Sequence, residues 1–269
     1  MIPIKSAEEI EIIEEGGKIL AKIMKELEKL VQPGITTKEL NRLAESLILN
    51  YGGKPSFKGH QNFPATLCTS INEEIVHCLP SDRVLKEGEI VSLDLGILYP
   101  APARPASLGE AGEQARYGTG KSFHTDMAIT LPVGKISPEV QRLIRVTKKA
   151  LKRGLKKARP GNTFGDIGNT IQRYVEGQGF GIVRQLCGHG IGKNLHEEPQ
   201  IPNYGKRKTG PEIKEGMVFC LEPMVTVGGW ELKKAKDGYG YETADGSLSC
   251  HFEHTIATTK DGCRILTNY

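Results

Sequence analysis

The chain has 269 residues, 38% hydrophobic and 25% charged, with a formal net charge of +4. That length allows one large domain or two small ones with a sizeable core, and the mild charge does not demand a nucleic-acid partner. No apolar run approaches membrane-spanning length, and Met1 to Lys5 lead into a charged helix without a hydrophobic signal core.

Ser6 and Glu9 have the spacing of a capping box, and Ile10, Ile13, Leu20, Ile23, Leu27 and Leu30 then recur at helical spacing up to Pro33-Gly34. A second box, Thr36 with Glu39, opens a helix lined by Leu40, Leu43, Leu47 and Ile48 and stopped by Gly52-Gly53. Residues Phe57 to Cys68 read as loop, and Thr66 to Leu79, which carries His77, as strand, turn, strand. Ile90 to Tyr99 is a buried strand with Asp94 in its middle. Residues 100–120 are rich in Pro, Ala and Gly and lack periodicity. They read as a loop inserted at a hairpin tip, whose second strand runs from Lys121 to Thr130. Surface decoration is the plain reading of such an insert, and a lid over a site the sharper one.

Ser137-Pro138 opens the next helix, through Val140, Leu143, Ile144, Leu151 and Leu155 to Pro160-Gly161. Another runs from Thr163 through Ile167, Ile171 and Val175 to Gly177. Strands are expected over Phe180 to Leu186, Met217 to Val227 and His251 to Thr258. Two helices followed by strands, twice over, predict an α+β fold with a mainly antiparallel sheet.

The halves echo each other. Lys86-Glu87-Gly88 and Lys214-Glu215-Gly216 each precede an acid, Asp94 and Glu222, six places after the glycine and 128 residues apart. Pro33-Gly34 and Pro160-Gly161 are 127 apart, as are Asp126 and Glu253. Three echoes at nearly one offset predict a single domain, 1–269, of two related halves, about 1–130 and 131–269, each giving two acids to a shared centre.

Glu222 ends an apolar run, where a buried carboxylate is costly unless it is paired or binds a metal. Asp94, Asp126, Glu222 and Glu253 brought together would repel and take up protons; two divalent cations would cancel their charge. His189, flanked by glycines, adds an imidazole. Oxygen-rich ligation with one imidazole suits Mn, Fe(II), Co or Zn. The cysteines at 68, 78, 187, 220, 250 and 263 form no Cys-x-x-Cys pair, are not needed as ligands, and read as reduced thiols of a cytoplasmic protein. Gly188 to Lys193 makes a poor phosphate loop, since Asn194 follows the lysine, and a His-Glu-x-x-His zinc helix is absent.

Together these stretches resemble the type I methionine aminopeptidases of the short bacterial kind, along nearly the whole chain. The matching motifs are Asn72-Glu73-Glu74 to His77, Leu93-Asp94-Leu95-Gly96, His124-Thr125-Asp126, Gly188-His189-Gly190-Ile191-Gly192, His196-Glu197-Glu198-Pro199, Leu221-Glu222-Pro223-Met224 and Glu253-His254-Thr255. The resemblance implies the pita-bread fold, with two pseudo-symmetric halves, each packing helices on a curved sheet. It implies Asp94 as a terminal ligand of one metal ion, Asp126 and Glu253 as bridges between two, and His189 with Glu222 completing the other. His77 and His196 would contact substrate and the developing oxyanion. Phe57, His60, Phe63, Cys68, Leu195 and Tyr239 would form the methionine pocket. The implied reaction removes N-terminal methionine from nascent proteins when the second residue is small. A water or hydroxide shared by the two cations attacks, and Glu222 shuttles the proton. A monomer is expected. The chain departs from that family in separating Asp94 from Asp126 by 32 places rather than a short hairpin, which bears on the site entrance and not on the ligand set.

Two other readings stand beside this one. A proline-directed aminopeptidase of the same fold usually carries an added N-terminal domain, which this chain lacks. A non-enzymatic binding module would typically have lost ligands, and all five positions are present here. Lys148, Lys149, Lys152, Arg153, Lys156, Lys157 and Arg159 give a basic helix over 148–159, read either as a solvated face or as a contact for ribosomal RNA.

Overall fold

The computed structural model describes residues 1–102 and 121–269. In chain order the elements are α1 (Ala7–Leu30), α2 (Thr37–Asn50), β1 (Lys54–Pro55), β2 (Leu67–Ile71), β3 (Glu74–Val76), β4 (Ile90–Tyr99) and β5 (Phe123–Pro132). Then follow α3 (Pro138–Leu155), α4 (Phe164–Glu176), β6 (Gly181–Ile182), β7 (Gly188–Gly190), β8 (Glu197–Ile201), β9 (Val218–Leu221) and β10 (Met224–Thr226). The chain ends with β11 (Leu232–Lys234), β12 (Tyr241–Thr243), β13 (Ser249–His251), β14 (Glu253–Thr259) and β15 (Gly262–Ile265). Both expected capping boxes close, Ser6 with Glu9 and Thr36 with Glu39, and Thr163 with Asp166 adds a third.

The main sheet runs β1-β4-β5-β14-β9-β7-β8, with β2 on β4 and β15 on β14, and every pair is antiparallel. Its inner path shows the expected pseudo-symmetry: β2, β4 and β5 on one side answer β7, β9 and β14 on the other. Two isolated bridges repeat it, Thr36 with Val84 and Thr163 with Glu212. Gly88 and Gly216 also repeat it, both in the left-handed region at φ 89° and 81°, where a side chain would be strained.

Strand alternation separates core from site. Leu93, Leu95, Ile97, Met127, Ile129 and Leu131 face one side and pack with Leu20, Met24, Leu27, Leu40 and Ile48 of the first two helices. The intervening residues, Asp94 and Asp126 among them, face the other side. Register finishes the job. Asp94 and Glu253 both pair with Ala128, and Gly96 pairs with Asp126. Leu221 pairs with His254, so Glu222 comes next beside Glu253. Four acids from distant sequence thus share one face.

Gly17 shows how tightly α1 is seated: a Cβ there would lie 2.2 Å from the Leu266 carbonyl oxygen. Gly17→Ala is therefore expected to destabilise the fold by about 1–3 kcal/mol, although alanine is the better helix former. Urea unfolding measures it.

Several expected boundaries are corrected. The basic stretch 148–159 is not one helix: α3 stops at Leu155, and residues 156–159 turn, with Lys157 N–H donating to the Gly154 carbonyl and buried Ala158 to that of Leu155. Pro160 disfavours helical geometry at Arg159. The strand expected over Met217 to Val227 is broken at Glu222-Pro223 into β9 and β10, which join different sheets, because proline cannot donate to a ladder. Likewise Phe252 separates β13 from β14, and only Gly181–Ile182 of the stretch 180–186 is strand. The short strands β7, β8, β11, β12 and β15 were not expected. Tyr99 pairs with Phe123, so the connection between β4 and β5 is a hairpin. The inserted loop expected at 100–120 lies, from 103 on, outside the described residues.

Candidate metal centre and substrate pocket

Asp94, Asp126, Glu222 and Glu253 are 7%, 4%, 8% and 2% exposed. Ligand oxygens of Asp94, Asp126 and Glu253 lie within 4.8 Å of one another. Asp94 Oδ1, Asp126 Oδ1 and Glu253 Oε1 are buried without a hydrogen-bond partner. Orphaned carboxylate oxygens in a dry site are costly. Burial pushes the carboxyls of Asp94, Glu222 and Glu253 well up, and the charge of Asp126 pushes each of the three further. Asp126 rises to about 7 through burial, offset in part by a hydrogen bond shared with Asp94. Without a cation among them, these groups hold protons that free carboxyls would have released.

His189 on β7 completes the set. Its Nδ1 lies 3.0 Å from the Gly190 carbonyl, so Nδ1 carries the proton and Nε2 offers a lone pair. That Nε2 is 3.7 Å from Glu222 Oε1. Burial lowers His189 to about 3, keeping the ring neutral and able to act as a ligand. Gly190 is needed for the approach of β8, since a Cβ there would meet the Glu198 carbonyl oxygen at 2.2 Å. Four acceptor-only carboxylates and one neutral imidazole fit divalent cations, and the five expected ligand residues converge on one floor.

That floor closes a cavity of about 830 Å³. His77 stands on its wall at φ 62°, an uncommon conformation for a side-chain-bearing residue. His196 lies edge-on to His189 with ring centres 4.4 Å apart, and to His60 at 5.2 Å. Burial lowers His77 to about 4 and lowers His196 as well, which favours neutral rings, each with one N–H to offer. The apolar corner is lined by Phe57, Phe63, Cys68 and Leu195, all buried, with His60 and Tyr239 at its side. Tyr239 packs edge-on to Phe63 at 5.7 Å, and its hydroxyl donates to the Asn62 carbonyl at 3.1 Å.

Three features at the site escaped the sequence reading. Cys220 Sγ lies within 4.8 Å of ligand atoms of His189 and Glu253, although no cysteine was needed there. Burial raises that thiol far up, so it stays protonated and leaves ligation to oxygen and nitrogen. Its position two residues before Glu222, in the same apolar run, was the available signal. Buried Lys5 pairs with Glu197 at 2.5 Å, and His251 stands behind Glu222.

The shifts predict an unusual stability profile. Raised acids stabilise the metal-free fold at low pH, and that stability is lost as pH climbs through their raised values. Six lowered histidines, 77, 124, 189, 196, 251 and 254, oppose this, adding stability as pH rises to their ordinary 6.5. Above that only the acids act. Chelated protein is expected to lose Tm between about pH 6.5 and about pH 8, and manganese-loaded protein to keep it. Calorimetric scans with and without chelator test this.

An antiparallel sheet that gathers four carboxylates and an imidazole beneath a peptide-sized cavity defines a metal-dependent hydrolase. The sequence model of metallopeptidase family M24 matches residues 11–101 and 115–260. The chain is 44% identical to a methionine aminopeptidase of Clostridium acetobutylicum, with 99% of each covered. It is 43% identical to methionine aminopeptidase 1 of Bacillus subtilis, again with 99% of each covered. The crystal structure of the Thermotoga maritima methionine aminopeptidase superimposes with a TM-score of 0.90 at 38% identity, over 100% of both chains. The chain belongs to metallopeptidase family M24, and its fold is the pita-bread fold of these enzymes.

Proposed function

We infer that this chain is a metal-dependent aminopeptidase that removes N-terminal methionine from peptides and nascent proteins, preferring a small second residue. The observation that supports this most is the pairing of the acid-lined floor with an apolar corner in one cavity. Asp94, Asp126, His189, Glu222 and Glu253 would hold two divalent cations, of manganese, iron(II), cobalt or zinc. When bound, such cations cancel the carboxylate charge, polarise a carbonyl and acidify water towards neutral pH.

The chain's own residues do the rest. Phe57, Phe63, Cys68, Leu195, His60 and Tyr239 receive the methionine side chain and fix which peptide bond is presented. His77 and His196 donate hydrogen bonds to the peptide carbonyl oxygen as negative charge grows on it. Glu222 takes a proton from the attacking water and passes it to the leaving amine. The whole chain acts as one catalytic domain, a cytoplasmic monomer; among the described residues no helix is long and apolar enough to cross a membrane.

Hydrolysis of Met-Ala-Ser and of Ala-Pro peptides, titrated with each metal, tests the assignment. Release of methionine without cleavage before proline is expected; the opposite preference refutes it. A weaker contact is also proposed. The basic residues of α3 and the turn after it, Lys148, Lys149, Lys152, Arg153, Lys156 and Arg159, are exposed and suit ribosomal RNA. Lys148 lies over the Phe252 ring and Arg153 over that of Tyr174, which orders part of this face. Co-sedimentation with ribosomes that weakens steeply with salt is expected; none at low salt refutes the contact.

A further inference from the structure

His251 closes β13 at the break between β9 and β10. It is 1% exposed, and neither ring nitrogen has a hydrogen-bond partner. Its backbone is held on both sides by one hydroxyl: the His251 N–H donates to Thr130 Oγ1 at 2.9 Å, and Thr130 donates back to the His251 carbonyl at 2.8 Å. The Ser92 hydroxyl lies 2.8 Å from the same Thr130 oxygen and can donate to it. Pairing of His251 with Met224 sets the ring beside the Glu222-Pro223 corner. From there Nε2 is 3.5 Å from Glu222 Oε2, while Oε1 of the same carboxylate faces His189 Nε2 at 3.7 Å. Asn203 fixes the Glu222 backbone, donating from Nδ2 to its carbonyl at 2.9 Å.

Two orphaned nitrogens on one buried ring are expensive, since a buried donor or acceptor left unpaired carries its full desolvation cost. The two tautomers are not equivalent here. A proton on Nδ1 would strand that N–H and aim the Nε2 lone pair at a carboxylate oxygen. A proton on Nε2 aims a donor at that oxygen instead. The separation is long for a hydrogen bond, and contacts of this kind commonly tighten only when the site is assembled.

We propose that His251 is a positioning residue for Glu222: its Nε2–H holds Oε2, so that Oε1 is presented to the centre in one orientation. This rests on the reading of Glu222 as a metal-holding, proton-carrying group. An outer partner of that kind is worth about 10- to 100-fold in metal affinity or rate. Glutamine can donate from nearly the same place, whereas leucine fills the space and donates nothing.

The test compares wild-type protein with His251→Gln and His251→Leu. Manganese affinity is read by calorimetry, kcat and KM on Met-Ala-Ser, and folding by the Tm of the chelated forms. His251→Leu is expected to bind manganese and turn over about 10- to 100-fold less well with KM little changed, and His251→Gln to stay near the wild type. A leucine variant that binds and turns over normally overturns the proposal, as does a glutamine variant as impaired as the leucine one. Nitrogen-15 shifts of His251 in the zinc-loaded wild type, where Glu222 is an acceptor only, need no substitution: a proton on Nε2 is expected, and one on Nδ1 overturns the assignment. Wild-type protein that neither binds manganese nor releases methionine refutes the metal reading itself, a different failure from a normal leucine variant.

Discussion

Asp126→Ala is expected to lower methionine release by at least about a thousandfold, the scale of losing several kcal/mol of metal-derived stabilisation. The charge of Asp126 raises Asp94, Glu222 and Glu253 alike, and its ligand oxygen lies within 4.8 Å of those of Asp94 and Glu253. Its backbone N–H donates to the Thr255 hydroxyl at 2.9 Å, and that hydroxyl donates back to its carbonyl at 2.7 Å, so the side chain starts from a fixed base. Removing it leaves three acids with fewer oxygens to hold two cations. Metal content and activity should fall together. The fold should survive at neutral pH, because a carboxyl whose ionisation is resisted where it sits does not favour the metal-free fold there. An alanine variant with full metal content and full activity would contradict Asp126 as a ligand.

The second large effect concerns Lys5 and Glu197, far apart in sequence and 4% and 8% exposed along their side chains. Lys5 Nζ reaches Glu197 Oε2 at 2.5 Å, while Glu197 Oε1 accepts the Asn194 N–H at 3.0 Å. Gly192 makes the room: a Cβ there would sit 2.4 Å from Lys5 Cε. The Lys5 N–H donates to the Gly216 carbonyl at 2.8 Å. The start of the chain is thereby fastened to the turn that carries Leu195 and His196 into the cavity. Lys5→Met should cost about 3–5 kcal/mol, because it leaves Glu197 buried and unpaired. Lys5→Met with Glu197→Gln should recover much of that loss, since no bare charge remains. Urea unfolding reads both. The single variant should also lose turnover through a loosened His196 at temperatures where it stays folded. Equal stability of single variant and wild type would show the pair to be solvated.

Features written in consecutive residues were legible. Ser6 with Glu9 and Thr36 with Glu39 cap their helices as expected, because a capping box is entirely local. The four acids stood out because carboxylates on apolar strands violate the ordinary pattern, and violations of local rules gather at functional sites. Pairings between distant positions were hidden. Lys5 reads as one more surface lysine, and its partner lies 192 residues on. His251 follows Cys250 in an apolar run and carries no motif; only the fold brings it to Glu222. The three-residue strand β7 shows too little period-2 alternation to be seen, although it carries His189. The stretch 156–159 kept its basic composition after the helix had ended, since charge pattern alone does not locate a C-terminus.

Anomalous diffraction from crystals grown with excess manganese tests the central claim most directly: four buried acids share one face of this sheet because cations lie among them. The expected map has two peaks between Asp94, Asp126, His189, Glu222 and Glu253, with the orphaned oxygens of Asp94, Asp126 and Glu253 turned onto them. A map without peaks there, with the oxygens of Asp94, Asp126 and Glu253 still unpartnered, would contradict it.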